Sequence, residues 1–132
     1  MSKMDWMAIA QAAQRLGMVS VGDEVINIAR DNGINVKVNP DQEIKPTLQV
    51  GGKDVYIILS PRLFERNPRI EVTVSGNTFP AKDALKSHDY RFEGRAWVKS
   101  FPVRAGASDE EIVQALLSAI EEALFVKMML AR

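Results

Sequence analysis

The chain has 132 residues, 46% of them apolar and 26% charged, which suits one globular domain with its own core and excludes wholesale disorder. Seventeen basic residues cancel seventeen acidic ones, so this is not a polycation that coats phosphate indiscriminately, and any anion site must be local. Cysteine is absent, which removes disulfides, thiolate metal sites and cysteine nucleophiles.

Asp5 falls where an export signal would begin its apolar run, and the apolar C-terminal stretch is interrupted by Glu121, Glu122 and Lys127. A soluble, cytoplasmic protein with no membrane partner is expected. Over residues 4–17, Trp6, Ile9, Ala10, Ala13 and Leu16 recur at helical spacing, with Gly17 as a stop. Ser20 and Asp23 open a second helix, Val25, Ile28 and Ala29 share its face, and Asn32 with Gly33 supplies a left-handed end. The expected unit is an N-terminal helical hairpin. With Arg15 and Arg30 as its cations, it offers a DNA-reading helix-turn-helix little to hold phosphate, so core packing is expected of it.

From Ile34 the period changes to two: Ile34, Val36 and Val38 alternate with Asn35, Lys37 and Asn39, as in a half-buried strand. After a polar loop between Pro40 and Pro46, residues 48–50 and 55–59 flank Gly51, Gly52, Lys53 and Asp54, a hairpin whose glycines supply positive φ. The Gly-Gly-Lys run lacks Walker spacing and a following helix, so it is not read as a phosphate loop. Pro61 to Pro68 reads as a basic, irregular connector with one possible helical turn, and Ile70, Val72 and Val74 mark the next strand, ending at Gly76.

Residues 76–102 are the most distinctive stretch. Thr78 or Asn77 can cap a short helix with Pro80 in its first turn, Ala84 and Leu85 inward and Lys82, Asp83 and Lys86 outward. Tyr90, Arg91 and Phe92 then turn at Glu93 and Gly94 into a strand that carries Arg95, Trp97, Lys99 and Phe101 on one face. Such a face can stack bases while holding phosphates; the competing reading makes Trp97 and Phe101 core residues under the last helix. Residues 50–104 hold ten basic against six acidic residues, so the neutral whole hides a basic middle.

Ser108 with Glu111 forms a capping box, and Asp109, Glu110 and Glu111 suit the positive end of a helix reaching about Leu130. Ile112, Leu116, Ala119, Ile120, Ala123 and Leu124 form its main face, while its last turns are apolar nearly all round. Either that end is buried in its own fold, or Phe125, Met128, Met129 and Leu130 meet a second copy. The fold class expected is α+β: the N-terminal hairpin, a small and mainly antiparallel sheet, and a long C-terminal helix packed on it, in one domain.

Catalysis is not expected. His88 is the only histidine and sits beside Asp89 at a helix end, no zinc ligand set is available, and neither a Gly-x-Ser-x-Gly elbow nor a Ser-x-x-Lys motif occurs. Carboxylates distant in sequence remain open as a magnesium site. No metal, cofactor or catalytic residue is assigned.

The pattern of Gly76, Asn77, Thr78, Phe79 and Pro80, then Lys82, Asp83, Leu85 and Lys86, then Arg91, Phe92, Gly94, Ala96 and Trp97 resembles a small module of plasmid and phage proteins. That module often accompanies primase, helicase or nuclease domains. Its usual form has a glycine pair and an Arg-Trp where this chain has His88-Asp89 and Arg91-Phe92. The resemblance implies an accessory role in the DNA-processing machinery of mobile elements and carries over no catalytic residue. The partner expected is nucleic acid or a DNA-processing complex, held by Lys82, Lys86, Tyr90, Arg91, Phe92, Arg95, Trp97, Lys99 and Phe101. The alternative is a regulator or inhibitor that binds proteins as a homodimer through its C-terminal helix.

Overall fold

A computed structural model describes residues 8, 9, 11, 34–36 and 43–131. The helical hairpin expected over residues 4–32 lies outside these, except that Ala8, Ile9 and Gln11 are helical and Ile9 is buried in the core. Six strands form one sheet: β1 (Asn35–Val36), β2 (Leu48–Val50), β3 (Lys53–Arg62), β4 (Arg69–Gly76), β5 (Arg91–Glu93) and β6 (Ala96–Pro102). The order is β1-β3-β4-β6-β5, with β2 also paired to β3, and every pairing is antiparallel except β1 with β3. One short helix, α1 (Lys82–Ser87), precedes β5, and α2 (Asp109–Leu130) follows β6.

The β2–β3 hairpin turns on Gly51 and Gly52, at φ +60° and +78°. Positive φ at both central residues matches the right-handed strand twist, and glycine adopts it without a Cβ penalty. On the far edge of β3, β1 and β2 lie end to end, and Thr47 fills the gap between them. Its hydroxyl accepts from the Ile57 N–H at 3.0 Å and from Asn35 Nδ2 at 3.1 Å, and donates to the Ile57 carbonyl at 3.3 Å. Both backbone groups of Ile57 are thus satisfied where no strand residue faces them.

The connector expected from Pro61 to Pro68 begins later than the prolines suggest. β3 runs on through Pro61, buried and opposite Ile70, to Arg62, and residues 63–68 form turns and bends with no helical turn. Residues of Pro61's parity turn their N–H away from β4, as Ile57 does, so the missing proline donor costs the β3–β4 ladder nothing. Arg62, Glu65, Arg69 and Glu71 tie this end together with N–O distances of 2.6–3.1 Å. Much of the connector's positive charge is neutralised there.

One sheet face carries Val55, Ile57, Leu59, Ile70, Val72 and Val74, each fully buried. Against them α2 sets Leu116, Ala119, Ile120, Ala123, Val126 and Leu130, at the three-to-four spacing of an inward stripe. Ser108 caps α2 as expected, its Oγ accepting from the Glu111 N–H at 3.3 Å. No described helix packs on the other face, which alternation gives to Tyr56, Ile58, Thr73, Ser75, Ala96 and Val98. No described helix is long and apolar enough to cross a membrane.

Candidate functional site

Gly76 ends β4 at φ +89°, where a Cβ would run into the carbonyl oxygen of Asp54. Glycine therefore lets the strand end dock on the β2–β3 hairpin. Asn77 completes the dock, its N–H donating to Asp54 O at 3.0 Å and its side-chain amide to Val50 O at 2.6 Å. Neither Asn77 nor Thr78 makes the helix cap expected of it, since Asn77 is committed to the hairpin and the buried Thr78 forms no side-chain cap bond. A 3₁₀ turn over Phe79–Ala81 leads into α1 and leaves Phe79 74% exposed. Lys82 places its ammonium 4.9 Å from the centre of that ring, a cation–π distance.

Phe92 faces this turn from β5, 58% exposed, with its ring 5.1 Å from that of Trp97 and tilted by 56°. Between the two walls lies a cleft of about 410 Å³, lined by Gly76, Asn77, Thr78, Phe79, Lys82, Lys86, Phe92 and Trp97. Trp97 is only 6% exposed and forms the floor. No carboxylate lines the cleft; Asp83 and Asp89 are exposed outside it. Lys82 and Lys86 take part in no ion pair among the described residues, so their charge is available to a ligand.

Of the nine residues expected to bind, Lys82, Lys86, Phe92 and Trp97 meet at this cleft, and the structure places the other five away from it. Tyr90 is 4% exposed and belongs to the core. Phe101 is half-buried against the core, and Lys99 lies 3.6 Å from Glu122 on α2. The face carrying Trp97, Lys99 and Phe101 is thus the one that α2 covers, and it is no open stacking platform. Arg91 pairs with Val98 on the opposite face and reaches Glu93 at 3.4 Å. Arg95 is exposed in the turn, because the β5–β6 hairpin turns on Gly94 and Arg95, one residue later than expected. Gly94, at φ +64°, supplies the positive φ at the first loop position. Phe79 is the residue missed; its signal was an aromatic immediately before Pro80, where the incipient helix is too short to bury it.

Glu122 faces inward rather than to solvent. It sits between Lys99 and His88, whose Nδ1 is 3.5 Å away. Neither Tyr90 Oη nor Glu122 Oε1 makes a well-aligned hydrogen bond, and both are buried. Burial first, and then the nearby Glu122 carboxylate, push the Tyr90 phenol above its ordinary value. At the end of α2 the expected interface also divides. Leu130 is buried and Met129 packs half-buried on the core, while Phe125 and Met128 are exposed, Phe125 with its ring 4.6 Å from that of His88. Among the described residues no three His, Cys, Asp or Glu side chains gather as a metal site.

No family model matches the chain, and no curated protein or solved structure shows significant similarity to it.

Proposed function

We propose that this protein binds nucleic acid through the cleft between Phe79 and Phe92, as a non-catalytic accessory protein of the mobile-element machinery that its central stretch resembles. The observation that carries this reading is the pair of exposed phenylalanine rings in a carboxylate-free cleft with Lys82 and Lys86 on its wall. Exposed aromatic rings offer faces for bases, and unpaired lysines offer charge for phosphates. The lining holds no carboxylate or imidazole to act as a general base. Alanine in place of a stacking aromatic costs about 1–3 kcal/mol per base. Phe92→Ala is therefore expected to weaken oligonucleotide binding by about 5- to 150-fold while leaving the circular dichroism spectrum unchanged. Unaltered affinity in a Phe79→Ala, Phe92→Ala double variant overturns the proposal.

A second reading rests on the outer side of α2, where Met128 is 63% exposed beside Phe125. There the protein acts as a dimeric regulator, and Met128→Glu lowers the mass found by sedimentation equilibrium.

A further inference from the structure

Resting on the nucleic-acid reading, we infer that the occupant of the cleft is one unstacked base of a single strand, with its phosphates on Lys82 and Lys86, and that intact duplex is rejected. The two exposed phenylalanine rings bound a concave cleft. Phe79 stands on one wall, Phe92 on the other and Trp97 at the floor of a cavity of about 410 Å³, near the low end of the range of about 300–1,000 Å³ for small-molecule sites. That is room for a nucleotide rather than a base pair. Within a duplex every base is stacked on its neighbours and shows only its edges in the grooves, so a ring in a cleft gains contact only with a base already free of the stack, or with one flipped out at a cost of a few kcal/mol.

Edge reading has little support in this cleft. Asn77 Nδ2 is held by the Val50 carbonyl and Thr78 is buried, so the amide that might read a base edge works inside the fold instead. The adjoining helix α1 has only six residues, too few to lie along a major groove and contact successive bases. Two lysines also set the electrostatic scale: each phosphate neutralised on a single strand contributes about −0.7 to the slope of log K against log salt.

The test is fluorescence anisotropy of the full chain with three probes: a labelled thymidine decamer, a labelled blunt hairpin duplex of matched length, and unlabelled thymidine monophosphate as competitor. The decamer is expected to bind at least tenfold more tightly than the duplex, with a salt slope of about −1.4. Thymidine monophosphate is expected to displace it, and Phe79→Leu and Phe92→Leu each to weaken it. Equal or tighter duplex binding overturns the single-strand inference and leaves the nucleic-acid reading standing. No binding of either polymer at low salt overturns the reading itself.

Discussion

Three residues hold backbone or buried polar groups in states that a substitution can report. Gly76 combines positive φ with no room for a Cβ, so Gly76→Ala is expected to cost about 3 kcal/mol in urea unfolding and to loosen the turn that presents Phe79. Asp89 closes α1 in the left-handed region at φ +67°. Tyr90 N–H donates to Leu85 O at 3.0 Å and Asp89 N–H to Lys86 O at 3.1 Å, the two bonds of a Schellman end. Glycine avoids the Cβ penalty at positive φ, so Asp89→Gly is expected to stabilise by about 1 kcal/mol. Tyr90 tests the buried cluster under α2. Because its folded pKa is raised, its contribution to stability is complete below the usual phenol pKa of about 10 and is lost as pH rises above it. Tyr90→Phe should flatten the stability profile above pH 10 and stay within about 1 kcal/mol of the parent at neutral pH, since it removes a hydroxyl that makes no well-aligned bond.

Elements whose boundaries depend on local chemistry were legible in the sequence. Two adjacent glycines fixed the β2–β3 turn, strict alternation fixed β4, and Ser108 with three acids fixed the start of α2. Four features were hidden, each for a physical reason. Pro61 looks like a strand end, but its ring nitrogen faces away from β4. The β5–β6 turn moved by one residue because Gly94 supplies positive φ best at the first loop position. Alternation grouped Trp97, Lys99 and Phe101 correctly, yet a period of two does not say which face a distant helix will cover. The Thr47 bridge was equally invisible, since it depends on β1 and β2 meeting end to end on β3. Thr47→Val keeps the shape and leaves the Ile57 backbone unpaired, which should cost about 1–3 kcal/mol in chemical unfolding.

Across the whole molecule, folding sorts a neutral sequence into paired and unpaired charge. In the basic middle, Arg62, Arg69, Arg91, Lys99 and Arg104 have carboxylate partners, and the cations left to line the cleft are Lys82 and Lys86. The site we propose is therefore smaller than the sequence suggested, a cleft at one end of the sheet in place of a broad basic face. The proposal predicts modest affinity with a shallow salt dependence, because two lysines can neutralise few phosphates. The most direct test is the mapping of backbone amide shifts by heteronuclear NMR as a thymidine decamer is added. Shifts are predicted to concentrate in residues 76–86 and 92–97, around the cleft. Shifts confined to the opposite sheet face, around Thr73, Arg91 and Val98, or to the outer side of α2, would contradict the assignment of the cleft as the binding site.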